Sequence, residues 1–345
     1  MSTVLTWASA IILLGIVIFV HELGHFYSAR KAGIKVKSFG MGFGPKLFSW
    51  TGKDGVQYVL RLLPLGGYCR YYGEDETIEN DEDAFYNQPV GKRALSTFAG
   101  PLMNFVTAVV AFFLFLAVFG ELITVPVIGE VNAGQPAAES GLLVGDRFVR
   151  VNGAEVKNTA DVSNVISKSD GEPVELTIDR HGSLIGVVVV PEIIDPEAGR
   201  AMIGITYAFE TQRHGVWDSA VSAVKMTGLS AMSIFDFLKG LVTRGQGAGD
   251  VVGPIGTIQV VAQETRVGGF RAYIAMLGII SVSLGFFNLL PIPGLDGSRL
   301  LFLLVEKIRG KRIDPNKEGM VHLIGIGLLL LLMIPVYIRD IVKLF

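Results

Sequence analysis

His21 and His25 stand four residues apart in the run His21-Glu22-Leu23-Gly24-His25. Residues four apart on a helix lie on one face, so the two imidazoles would project together. H-E-x-x-H is the pattern in which two imidazoles bind zinc and the glutamate handles the water proton. A catalytic zinc takes three protein ligands and keeps one position for water. The third ligand must therefore come from elsewhere, and the chain has only five histidines. His181 and His214 lie in or just after a stretch that reads as soluble. His322 opens a late apolar run and is set aside, for want of an acidic or histidine neighbour at metal spacing. Asp296 is the better candidate. It ends Asn288-Leu289-Leu290-Pro291-Ile292-Pro293-Gly294-Leu295-Asp296, a stretch whose prolines and glycine must break a helix. Broken backbone at membrane depth is tolerated where it is buried in protein or lines a wet cavity, and there a carboxylate can point at a metal. The same local sequence equally suits a turn beyond the helix end, with Asp296 capping a helix from Arg299 to Ile308.

What surrounds these residues is apolar. Of 345 residues, 50% are hydrophobic and 18% charged, with a mean hydropathy of +0.49 and a formal charge of −2. That composition excludes disorder, which needs low hydrophobicity and high net charge. It gives no basic excess for binding nucleic acid. The single cysteine, Cys69, excludes an intrachain disulfide. The apolar residues are gathered into blocks: Val4 to Val20, Ser96 to Gly120, Tyr273 to Pro293 and His322 to Ile338. A spanning helix needs about 20 mostly apolar residues, so these read as four membrane segments. Buried helices of a large soluble core are the alternative. The first block has no basic residue before it, and its Ala8-Ser9-Ala10 precedes the apolar run, so it reads as a retained helix and not a signal peptide. Ionisable groups in such a segment are costly and mark functional sites by default.

Basic residues follow the first block (Arg30, Lys31, Lys35, Lys37, Lys46), precede the second (Lys92, Arg93), and lie between the third and fourth (Arg299 to Lys317). The positive-inside rule then sets the N terminus outside and these loops in the cytoplasm. Four crossings would return the C terminus to the outside. Between the first two blocks, Ile34 to Phe39 and Val56 to Leu63 read as strands of a hairpin rich in glycine (Gly42, Gly44, Gly66, Gly67). Its edge is suited to holding an extended peptide as an added strand. Glu74 to Asp83 has seven acidic residues in ten and reads as a solvated loop. Trp217 to Leu241 reads as an amphipathic interfacial helix. Residues 122–206 read as a soluble domain. Strands are expected at Val125 to Val131, Gly145 to Gly153, Val174 to Asp179 and Ile185 to Val190, with a helix from Thr159 to Ile166 capped by its threonine. The string Gln135-Pro136-Ala137-Ala138-Glu139-Ser140-Gly141-Leu142 with Gly145-Asp146 resembles a PDZ domain of the circularly permuted bacterial kind, with a ligand-facing loop near Met202 to Ile205.

Taken together the chain resembles the site-2 protease family of intramembrane zinc metalloproteases, on the bacterial regulator-of-sigma-E-protease branch. The resemblance is carried by the His21 to His25 motif, Gly42-Phe43-Gly44, Pro64-Leu65-Gly66-Gly67-Tyr68 and Ala99-Gly100-Pro101-Leu102-Met103-Asn104-Phe105. Gly253-Pro254-Ile255-Gly256 and Asn288 to Gly297 complete it. It implies a polytopic α-helical membrane protein of about four transmembrane helices, with a membrane-associated β-hairpin and an inserted extracytoplasmic PDZ domain. The expected parts are a membrane domain at 1–120, the PDZ domain at 121–206 and a second membrane domain at 207–345. The resemblance implies zinc held by His21, His25 and Asp296, with Glu22 as the catalytic proton carrier. It also implies that Asn288, and Asn104 likewise, contact substrate or help hold the site, and the hairpin glycines are expected to face substrate. The expected substrate is a single-span membrane protein of the anti-sigma-factor type, or a signal-peptide remnant, cut in the bacterial inner membrane after a first extracytoplasmic cleavage. The active site would lie near the cytoplasmic side. Members of the branch carry two tandem PDZ domains, and this chain has room for one. The rival readings are a PDZ-bearing membrane scaffold with a structural metal, and a zinc transporter or sensor. A structural zinc wants a fourth ligand, and transporters commonly show internal repeats; neither is visible in the sequence.

Overall fold

The computed structural model describes residues 3–74, 81–169, 171–193, 200–247, 249 and 251–342. In chain order the elements are α1 (Thr3–Ala32), β1 (Val36–Thr51), β2 (Gln57–Tyr71), α2 (Val90–Phe119), β3 (Glu121–Val131), α3 (Pro136–Glu139), β4 (Arg147–Val151), β5 (Ala154–Glu155), α4 (Thr159–Ser167), β6 (Val174–Arg180), β7 (Ser183–Val189), β8 (Ile205–Gln212), α5 (Val216–Arg244), α6 (Pro254–Asn288), α7 (Asp296–Arg309) and α8 (Pro315–Val342). They form two compact units, one of Met1–Val118 with Gly215–Phe345 and one of Phe119–His214.

In the first unit α1 runs unbroken because nothing from Val4 to Val20 interrupts its apolar surface. Arg30 and Lys31 in its last turn suit the negative end of the helix dipole. The helix stops at Gly33, whose φ is +77°. There Gly33 N–H donates to Arg30 O and Ile34 N–H to Ala29 O, closing the turn. Ala10, Leu13 and Val17 of α1 are fully buried against Ile258, Val261 and Ala262 of α6. Farther along, α6 meets α2 at two glycines. Gly278 receives the Phe112 ring, and Gly285 lies against the Pro101 carbonyl and Asn104. Small residues of this kind let helix backbones approach closely where no hydrophobic force separates lipid from protein.

Among the described residues, five helices are long and apolar enough to cross a membrane: those spanning Val4–Lys31, Val90–Phe119, Val216–Arg244, Pro254–Asn288 and Pro315–Val342. The sequence reading counted four blocks. The added helix, α5, has a mean hydropathy of 1.3 over its best window, against 2.4 to 2.5 for α1, α2 and α8. Asp218, Lys225, Asp236, Lys239 and Arg244 dilute its apolar character, so no uncharged block appears. The chain is a polytopic membrane protein.

β1 and β2 pair as an antiparallel hairpin with repeated register shifts. Both strands run longer than expected, because Gly40, Gly42 and Gly44 do not end β1 but bend it. Phe43, Phe48, Trp50, Leu62 and Leu63 of this hairpin are exposed.

In the second unit the strand order is β7-β6-β4-β3-β8, with β5 on β4, and every pairing is antiparallel. Ile128, Phe148, Val162, Leu176 and Ile178 make its core. α4 is capped by Asn158 and not by Thr159. Asn158 Oδ1 accepts the Asp161 N–H while the Asp161 carboxylate accepts that of Asn158. The Gly145-Asp146 signal has a structural reason. The buried Asp146 carboxylate accepts from Leu143 N–H and from both Nε and Nη2 of Arg180, at 2.7–2.8 Å. Burial works to raise that carboxyl, and these donors more than offset it, holding it below the ordinary carboxylate range. The expected boundary at residue 206 falls inside β8, which pairs with β3 as far as Gln212, so the unit continues to His214.

Candidate metal centre

His21, Glu22 and His25 lie late in α1, over the N-terminal half of α2. The approach of the two helices is close enough to need glycine. A methyl at Gly24 would stand 2.3 Å from the Ala99 carbonyl oxygen, and one at Gly100 would stand 2.3 Å from His25 Nε2. Gly100→Ala is therefore expected to displace His25 and weaken metal binding roughly ten-fold. Gly91→Ala, in the same helix with nothing within 4 Å, should leave binding unchanged. Competition with a chelator measures both.

Each imidazole has one nitrogen tied down. His25 Nδ1 lies 2.9 Å from the Ser96 carbonyl oxygen, which can only accept. The Nδ1 proton is thereby fixed, and His25 Nε2 carries the lone pair. His21 Nδ1 lies 3.0 Å from the side-chain amide of Asn104, whose other polar atom is buried without a partner. Amide oxygen and nitrogen are assigned from their network. With Oδ1 turned to His21, Asn104 accepts the Nδ1 proton and leaves the His21 Nε2 lone pair free. Asn104 is fully buried, so of its two expected roles it has no surface for substrate contact and fits the other, helping to hold the site. It orients His21, as partners of ligating histidines do.

The freed atoms converge. His21 Nε2 and His25 Nε2 are 3.1 Å apart, and Asp296 Oδ2 lies 3.1 and 3.3 Å from them. Three lone-pair atoms face one another, and Asp296 Oδ2 has no hydrogen bond. Ligands about 2.0–2.1 Å from a tetrahedral zinc stand about 3.3 Å from one another, so the donor set fits such an ion. Among the described residues no fourth His, Cys, Asp or Glu joins the group.

Asp296 opens α7, and Leu295 precedes it as an N-cap without a side-chain cap. Its carboxylate faces the histidines, which sets aside the capping alternative. α7 is pinned along its length. Arg299 pairs with Glu74. Glu306 takes two hydrogen bonds from Arg93, a residue 1% exposed whose Nε donates to the Gln88 carbonyl. Glu74 corrects the solvated-loop reading at its first residue: its side chain is 9% exposed and accepts the Tyr71 N–H. Of the rest of that reading, 75–80 lie outside the described residues, while Asp81 accepts from the Tyr72 hydroxyl and Asp83 pairs with Lys35.

The centre opens into a cavity of about 640 Å³ lined by Glu22, Gly67, Cys69, Asn288, Asp296 and Arg299 among others. Glu22 faces β2 across this cavity. β2 crosses this point at Gly67, where a methyl would come 2.6 Å from Glu22 Cγ. Burial, with Glu22 and Glu74 nearby, pushes the Cys69 thiol well above its usual range, so it offers no thiolate. Asn288 lines the cavity and donates to Leu284 O. Of the four hairpin glycines expected at the substrate, Gly67 alone lines it. Gly42 sits against Leu63 O and Gly66 against the Phe43 ring, while Gly44 O accepts from Arg61. In the second unit, a cavity of about 420 Å³ is lined by Ser163, Ile166, Arg200, Met202, Gly204 and Tyr207, taking in the Met202 to Ile205 loop.

Residues 9–332 match peptidase family M50. A protein of Clostridium acetobutylicum is 36% identical over 96% of both chains. The zinc metalloprotease RasP of Geobacillus kaustophilus is 32% identical over 98% of each, and the eep protein of Enterococcus faecalis is 28% identical over the whole of each.

Proposed function

The chain belongs to peptidase family M50, and from that premise we propose that it is an intramembrane zinc endopeptidase whose zinc is held by His21, His25 and Asp296. The observation that carries this is the convergence of three lone-pair atoms, 3.1–3.3 Å apart, at the end of an apolar helix. Zinc so held acidifies water to a pKa of about 7 and polarises a carbonyl. Glu22 accepts the proton of the attacking water and returns it to the leaving amine nitrogen. Asn104 and the Ser96 carbonyl keep both imidazoles in the ligating tautomer. The active site lies near the cytoplasmic side, since Arg30 and Lys31 follow it directly.

The substrate is the span of a single-pass membrane protein, of the anti-sigma-factor or signal-peptide-remnant type. A helix shields its peptide bonds, so the span unwinds first and the β1–β2 hairpin holds it as an added strand. The second unit is a PDZ domain whose cavity beside Met202 to Ile205 takes an extended peptide or meters the size of the substrate's outer part. The scaffold reading has less support, because a structural zinc wants a fourth ligand and Glu22 would have no task.

Removal of the metal tests the proposal. The purified chain in detergent is expected to cut a tagged single-span substrate, to lose that activity on chelation, and to regain it with one equivalent of zinc. Activity that survives complete removal of zinc would refute it.

A further inference from the structure

We propose that His322 is a positioning residue that fixes where the Asp296 carboxylate stands. The inference rests on the reading of Asp296 as a zinc ligand. Asp296 hangs at the end of the loop 289–295, and Leu295 gives α7 no side-chain cap, so the loop itself must be held. Its hold is α8. Gly294 N–H donates to His322 Nδ1 at 2.9 Å, two residues before Asp296. One turn on, Gly325 admits Pro293, whose Cβ would lie 2.2 Å from a methyl there. Ile326 closes over Gly294, where a methyl would lie 2.7 Å from Ile326 Cγ1. Positions 322, 325 and 326 share one face of α8.

The imidazole is itself held. Its ring packs edge-on to Phe302 with centroids 5.7 Å apart. Ser298 Oγ, which donates to Leu295 O, lies 3.5 Å from Nδ1. Accepting at Nδ1 puts the ring proton on Nε2, which faces Glu318 Oε1 at 3.6 Å. Glu318 stands four residues before His322, an acidic neighbour at metal spacing. It gives the neutral His322 ring a carboxylate neighbour and no metal role, since neither residue joins the metal-holding group. Metal sites tolerate only about ±0.2 Å in ligand distance, so a slack loop two residues from Asp296 would be felt there.

The test compares three substitutions in the full chain. His322→Leu removes the acceptor and is expected to weaken zinc binding about ten-fold, with kcat falling and KM within about two-fold. His322→Asn places Oδ1 near the position of Nδ1 and should restore zinc affinity to within about three-fold. His322→Gln carries its amide one methylene farther and should not. Zinc affinity is read by chelator competition and kcat from cleavage of a tagged single-span substrate. Wild-type zinc affinity and kcat in His322→Leu would overturn the proposal. So would equal losses in the Asn and Gln variants, which would mean that only ring packing matters. If His322→Leu does not fold, the Asn–Gln contrast decides. Absence of zinc from the wild-type centre would instead overturn the reading of the site, and the proposal with it.

Discussion

Glu22→Gln should abolish cleavage and leave zinc bound. The substitution is nearly isosteric, so it keeps the packing of residue 22 against Gly67 of β2. What it removes is the carboxylate that follows His21 in sequence and lines the same cavity without being one of the triangle's three members. A positioned general base contributes about 10²–10⁴-fold, so kcat should fall by on the order of 10³ with KM little changed. Zinc content should stay at one per chain, because Glu22 offers no ligand atom to the group. Cleavage assays and elemental analysis on the same purified sample check both halves. Undiminished cleavage would remove Glu22 from the chemistry. Loss of zinc along with activity would make Glu22 a ligand and favour a closed, structural site.

Asp296→Ala should do the reverse of that selectivity and lose both zinc and activity. With the carboxylate gone, two imidazoles 3.1 Å apart remain, one ligand short of a catalytic zinc site. The loss of affinity should exceed the 10–100-fold typical of an outer-shell partner. Asp296→Glu keeps the charge but moves it by one methylene, beyond the tolerance of the site, and should rescue little. The alternative role, a helix cap, makes a different forecast. A lost cap costs about 1 kcal/mol of stability and leaves zinc in place. Zinc stoichiometry and the thermal midpoint of the variant separate the two.

The two halves of this centre differ in how legible they were. His21 and His25 are bound together by helical periodicity, a local rule, and the structure brings them together as expected. Asp296 was visible as a candidate because two prolines and a glycine break the chain before it. Local sequence could not choose between ligand and cap, since that choice depends on α7 meeting α1 across the fold. The same limit hid Glu74. A run of seven acids reads as solvated, and only the tertiary pairing with Arg299 singles out its first member. Of the two roles open to Asn104, touching substrate or helping to hold the site, its burial behind His21 fits the second. A polar residue in an uncharged block was the available signal; its partner was not. His322 was set aside although Glu318 stood at the right spacing, and its contact with Gly294 follows no sequence rule.

Elements followed the same division. α1, α2 and α8 announce themselves by hydropathy, whereas α5 is diluted by five charges. β8 went unseen because its pairing with β3 joins segments far apart in sequence. The glycines of β1 read as breaks, but in a hairpin they permit bends that keep the strand going.

The most direct measurement is the position of the cut. The wild-type chain and Glu22→Gln, both with one zinc per chain, are reconstituted into lipid vesicles with a tagged single-span protein, and the products are mapped by mass spectrometry. Cleavage within the apolar span by the wild type alone is the predicted result. A cut confined to the soluble flanks, or equal cutting by both proteins, would contradict an intramembrane zinc peptidase built on His21, Glu22, His25 and Asp296.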